Sequence, residues 1–134
     1  LVGGRLVQVG APEEVYERPA DEAVARLTGV ASMLDVKVEP GPVVAIDGLR
    51  VPVQGSVGAG PHRLLVRPGW ASLGGTLKGV VAGVRFEGPH TDHDLRTSAG
   101  MVVIRLPGPP RVRVGDDSGW SLHRGWLVGV REGT

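Results

Sequence analysis

The chain has 134 residues, 41% of them hydrophobic, which suffices for one modest domain with its own core, or one domain plus a short piece of a neighbour. Its net charge of +1, from 15 Lys and Arg against 14 Asp and Glu, excludes the strong field that concentrates a protein on nucleic acid or an anionic membrane. The absence of Cys excludes disulfides and thiolate metal sites, as suits a reducing cytoplasm. The longest apolar runs, such as Met101-Val102-Val103-Ile104, are far too short to cross a bilayer and predict a soluble chain.

In chain order, LVGGRLVQVG at residues 1–10 sets Gly3-Gly4 between two Val/Leu-rich stretches, the pattern of a two-residue hairpin; a hairpin at the first residue predicts a start inside a larger protein. Pro12 suits a first helical position, Glu13 and Glu14 favour the positive helix start, and Arg18 precedes a stop at Pro19. Ala11 at the N-cap offers no oxygen, so this short helix must rely on packing of Val15 and Tyr16. Ala23, Val24 and Leu27 recur at helical spacing within residues 20–27, with Gly29 as a left-handed terminator, and predict a second helix.

The period then switches to two. Leu34, Val36 and Val38 alternate with Asp35, Lys37 and Glu39, the pattern of a half-buried strand. Asp47-Gly48 between residues 43–46 and 49–53 is a hairpin signal, and residues 63–67 form an apolar run stopped by Pro68. Further strands are predicted over residues 77–86, 94–97, 101–106, 111–114 and 126–130, with Ser98-Ala99-Gly100 and Pro107 to Pro110 as connections. The 22 Gly and 11 Pro fall between these runs as turns, and the abundance of Val favours a pleated sheet. The predicted fold is mainly β: an OB-like barrel preceded by a hairpin and two short helices.

Gly4, Arg5, Leu6, Val7, Gln8, Gly10, Pro12, Glu14, Val15, Tyr16 and Pro19, followed by Val24-Ala25, Leu27 and Gly29, resemble a segment of the ATP-binding subunits of ABC importers. There a hairpin ending in Gln-X-Gly leads into Pro-X-Glu, an aromatic and another Pro, then a second helix and the exit from the ATPase domain. Ala23 departs from the family's frequent Phe, and Ser32 from its frequent Asn. Val66-Arg67-Pro68 resembles the mark of that family's OB-type accessory domain, often called TOBE, with Gly69 in place of the following acid. The resemblance covers most of the chain; its specificity is high over residues 3–29 and only fair beyond residue 70.

The resemblance implies that residues 1–30 are the end of an ATPase domain and a helical connector, and that residues 31–134 are the TOBE domain. It implies a regulatory and dimerisation role, not catalytic in itself, in a parent protein that binds ATP and Mg and hydrolyses ATP. The implied partners are the chain's own N-terminal ATPase domain, a second copy of the subunit and membrane-spanning ABC subunits. These place it in the cytoplasm at the inner face of the cell membrane. No cofactor is expected in these residues: Gly3-Gly4 and Gly74-Gly75 lack the following Gly-Lys-Ser/Thr that a phosphate loop needs.

The most chemical-looking cluster, His90-Thr91-Asp92-His93-Asp94, offers His90, Asp92 and His93 as weak metal candidates; the preferred reading is a solvated loop at a domain or subunit surface. Trp70, Trp120 and Trp126 are three of only five aromatic residues and read as core anchors or, at an interface, as dimer contacts. Base stacking lacks the basic surroundings it needs, so no nucleic-acid partner is expected. Arg105, Arg111 and Arg113 alternate with apolar residues as a solvated sheet face or, alternatively, an oxyanion pocket. The rival to the regulatory reading is a β-barrel that senses a small ligand, an oxyanion or the transported solute.

Overall fold

The computed structural model describes residues 10–55 and 57–128. The hairpin expected over residues 1–10 and the end of the strand expected over 126–130 therefore lie outside the described residues. Helix α1 (Pro12–Glu17) starts on Pro12 with no side-chain cap at Ala11. Helix α2 (Glu22–Leu27) begins two residues later than its apolar spacing indicates, because Asp21 caps it: the carboxylate accepts the Val24 amide at 3.0 Å. Among the described residues no helix is long and apolar enough to cross a membrane.

The remainder is β structure: β1 (Ser32–Glu39), β2 (Val43–Ile46), β3 (Leu49–Pro52), β4 (Gly60–Val66), β5 (Ala71–Phe86), β6 (His90–Thr97), β7 (Gly100–Pro107), β8 (Asp117–Leu122) and β9 (Trp126–Val128). They form two antiparallel sheets, a five-stranded one in the order β3-β2-β1-β4-β9 and a four-stranded one in the order β7-β6-β5-β8. The mainly β expectation holds. The single closed OB-like barrel does not, because the long β5 pairs with β6 along one edge and β8 along the other, which makes a separate sheet. The five-stranded sheet turns back toward itself at one bridge, where Gln54 donates to Gly125 O at 2.9 Å and accepts from Leu127 N at 2.7 Å.

Two further expectations are corrected. Residues 111–114 form no strand: the Asp116 carboxylate accepts the Arg113 amide at 2.9 Å, the Arg113 carbonyl accepts the Asp116 amide at 3.1 Å, and Gly115 follows at φ +96°. The strand comes later, as β8, whose Ser and Gly content carries little β signal of its own; pairing with β5 supplies it. Residues 90–94 are not a solvated loop but the first half of β6, since a tight turn at Gly88 (φ +91°) lets Thr91 pair with Phe86 at once.

The sheets share a core that includes Leu34, Ile46, Leu64, Leu95, Ile104 and Trp120. Alternation also buries the other face of β1 and β4: Met33 and Leu65 join Ala25 of α2 and Val128 in a second, smaller cluster. The five-stranded sheet is thus apolar on both sides where the helices lie on it. Asp47 at the β2–β3 turn (φ +53°) ties the sheets together, its carboxylate accepting the Lys78 amide at 2.8 Å and the Ser98 hydroxyl at 2.7 Å. The Lys78 amide, and then the Ser98 hydroxyl, hold this carboxyl below its usual range.

Candidate functional site

Beyond the core, buried polar contacts converge where the two helices meet the β domain. Arg67 leaves the end of β4 on the side away from the core and is almost fully buried, at 1% exposure. Its Nε and Nη2 donate to Tyr16 O at 3.2 and 2.8 Å, and Nη1 donates to Ala25 O at 2.9 Å and Val30 O at 3.0 Å. A second Nη2 bond, at 2.9 Å, goes to the Thr28 hydroxyl, which itself lies within donating distance of Val24 O and Ala25 O. Those contacts use all five guanidinium N–H groups.

The acceptors share an origin. Tyr16 lies in the last turn of α1, and Ala25 in the last turn of α2, where carbonyls have no partner within the helix. One guanidinium therefore caps the C-termini of both helices from across the chain. It also stacks over the Tyr16 ring at 4.2 Å from the centroid. Burial pulls the Arg67 pKa below its usual value, yet an arginine so far above neutrality stays charged. Gly29 passes close to the same ring: a Cβ there would lie 3.0 Å from Tyr16 Cε1, on a backbone at φ +152°.

A second group of contacts flanks the first. The Arg124 guanidinium stacks over Trp70 at 4.6 Å and donates to Glu17 at 3.1 Å, while the Trp126 indole donates to Pro19 O at 3.0 Å. Trp70 and Trp126, two of the three tryptophans read as core anchors or interface contacts, therefore pack against the smaller cluster where the helices meet the sheet. Trp120 is fully buried between the sheets, its indole donating to Lys78 O at 3.2 Å.

The metal candidates are arranged differently from a ligand set. His90 and Asp92 share the outer face of β6, 3.9 Å apart, and the Asp92 carboxylate accepts two bonds from Arg105 at 2.8 and 3.0 Å. Those Arg105 bonds hold the Asp92 carboxyl below its usual range. His93 points to the inner face, its Nδ1 3.1 Å from Ile104 O and its Nε2 buried without a partner. Among the described residues no three His, Cys, Asp or Glu side chains gather to hold a metal. Of the arginines considered for an oxyanion, Arg105 is engaged by Asp92, while Arg111 and Arg113 lie on the loop before β8. A cleft of about 300 Å³ lies between β3 and β8, but Arg50, the one cation among its described lining residues, is bound by Glu39.

Sequence reasoning singled out Arg67 only as one letter of a motif. Its role was signalled by an arginine closing the apolar run Leu64-Leu65-Val66, where a burial-prone context demands acceptors. Thr28, Glu17 and Arg124 carried no comparable signal, since their partners lie far away in sequence.

The relatives of this chain are ATP-binding subunits of ABC importers. The sulfate/thiosulfate import ATP-binding protein CysA of Rhodopseudomonas palustris is 34% identical over 130 residues, which cover 90% of this chain and 37% of that protein. The Fe(3+) ions import ATP-binding protein FbpC of Brucella abortus is 32% identical over 114 residues, 78% of this chain and 32% of its own length. An FbpC of Streptomyces avermitilis is 38% identical over 90 residues, covering 65% and 26%. The chain spans about a third of the length of these curated relatives. No family model matches it.

Proposed function

We propose that this chain is the C-terminal TOBE-type accessory region of an ABC importer's ATP-binding subunit, a regulatory and dimerisation module without catalytic residues of its own. The observation that carries the reading is the Arg67 junction. Five bonds from one buried side chain, to Tyr16, Ala25, Thr28 and Val30, tie the β domain to two short helices and the turn that follows them, a segment whose helices are too short to stay folded alone. Such a junction makes the connector and the β domain move together, as a module must if it is to follow an ATPase domain that closes on ATP and opens after hydrolysis. Similarity to the CysA relative over 90% of the chain, which must take in part of the helical segment as well as the β structure, supports the same assignment.

In this reading the parent protein binds ATP and Mg in a preceding ATPase domain, pairs with a second copy and acts in the cytoplasm against membrane-spanning subunits. Which solute the parent imports is a separate matter, because the relatives' names differ. The coding sequence upstream of Leu1 tests the assignment. A Gly-X-X-X-X-Gly-Lys-Ser/Thr loop and the family's signature loop are expected there, and an unrelated domain in that place would overturn it. Sedimentation of this chain at high concentration tests the dimerisation role, against which a strict monomer would weigh heavily.

A further inference from the structure

The outer face of the four-stranded sheet carries a row of four side chains fixed by register alone. Val80 of β5 lies opposite Arg96 of β6 on one side and Asp117 of β8 on the other, and Arg96 lies opposite Met101 of β7. Directly paired residues share a face, so the row reads Met101, Arg96, Val80, Asp117 across the sheet. The neighbouring residues Val81, Leu95 and Val102 are buried, which fixes the row as outward-facing. All four are exposed, Val80 by 36% and Met101 by 44%.

Two features set this row apart. It joins exposed apolar side chains to charged ones on a face where Arg85 pairs with Asp94 and Arg105 with Asp92. Arg96 and Asp117, by contrast, make no ion pair or side-chain hydrogen bond among the described residues, and they flank Val80 at equal strand spacing. Opposite charges placed symmetrically about an apolar centre are self-complementary. A two-fold axis running along β5, between two facing sheets, sets Val80 on Val80 and Arg96 of each copy against Asp117 of the other.

We propose that this row is the centre of an isologous contact with a second copy of the chain. The inference rests on the dimerisation role proposed above and assigns it a surface, one distinct from the tryptophans. The face is small: four strands at ~4.8 Å spacing and about six residues of length make roughly 400 Å² per copy, about half of a standard interface. Association of this chain alone is accordingly weak, visible at hundreds of micromolar, and gains strength only when another part of the protein holds the copies together.

Charge exchange tests the surface. Sedimentation equilibrium of Arg96→Asp and of Asp117→Arg, each of which places like charges together twice per dimer, is expected to show association weakened about tenfold or more. The double variant Arg96→Asp/Asp117→Arg restores it. Both side chains are exposed, so the variants are expected to fold, and circular dichroism is the check. Because the chain has no Cys, Val80→Cys supplies a unique thiol that a short bismaleimide should link into dimers, whereas Leu49→Cys on β3 should not be linked. Dimers that survive both single reversals would overturn this surface and leave the dimerisation role standing. A strict monomer at millimolar concentration, with no linkage at position 80, would remove both.

Discussion

Replacing Arg67 by Ala removes five charged hydrogen bonds and the stack on Tyr16, takes from the Tyr16 carbonyl both of its guanidinium donors, and leaves the Ala25 carbonyl only the Thr28 hydroxyl. A hydrogen bond to a charged donor is worth about 1.5–3 kcal/mol, but these five come from one guanidinium and are not additive. Val30 is exposed, so its carbonyl regains water cheaply. Removing one partner of a buried charged network costs about 3–5 kcal/mol, and Arg67→Ala is expected to cost as much. The loss falls on the connector, because the core between the sheets uses none of these atoms. At the low end, about 3 kcal/mol raises the opening equilibrium of the helices roughly 150-fold. Amide hydrogen exchange reads this at Val15, Arg18, Ala25 and Thr28, each bonded within the helical segment, while Leu34 and Leu64 in the core strands report on the rest. Arg67→Lys keeps the charge but brings three donors instead of five and no planar fork, so a loss of about 1.5–3 kcal/mol is expected. Connector amides that exchange at wild-type rates in Arg67→Ala would refute the reasoning.

Glu17→Gln removes the carboxylate that Arg124 binds at a partly exposed site, and should cost no more than about 1 kcal/mol, read as a small change in thermal midpoint. The Asp47 carboxyl has a folded pKa below its unfolded value, so it contributes stability in full above the unfolded pKa and loses it as pH falls through the folded one; Asp47→Asn should flatten that acid limb, below about pH 4, in thermal melts against pH. At Gly75 a Cβ would lie 2.1 Å from Ser121 Oγ and 2.6 Å from Trp120 O, on a backbone at φ +140°. Gly75→Ala should therefore cost about 2–4 kcal/mol in chemical denaturation, and Gly74→Ala, at φ +89° in open space, only the backbone strain of about 1–2 kcal/mol.

The parts of the fold legible in the sequence are those whose information is local. Alternation from Leu34 to Glu39 and the Asp47-Gly48 turn define β1 to β3, because a side-chain period of two and a positive-φ turn are properties of adjacent residues. The start of β5 at Ala71 was hidden by Gly74-Gly75, where its pairing with β8 shifts register between Leu73 and Leu77. β8 itself takes its conformation from its partner strand. His90 to Asp94 reads as a solvated loop in the sequence because Gly88-Pro89 just before it signals a turn. Asp92 is buried by a bond to Arg105, 13 positions away, and His93 by the inner face of a strand whose partner begins at Gly100. No window of adjacent residues contains those partners.

Val66-Arg67-Pro68 gains its meaning from three directions at once. Val66 points into the core between the sheets, Arg67 points the other way into the connector, and the Pro68 carbonyl accepts the Arg105 amide of β7 at 3.0 Å. Proline has no N–H to continue the ladder, so β4 ends there and the chain is free to cross to the second sheet. Trp70, two residues on, lies under Arg124 and completes the flank of the junction. Three consecutive residues thus touch the helices, the first sheet and the second sheet, a sufficient physical reason for this order of types without any catalytic demand. Gly69, between Pro68 and Trp70, takes no part in the junction. Gly69 is exposed, a Cβ there would meet nothing within 4 Å, and none of the bonds that hold the connector passes through it.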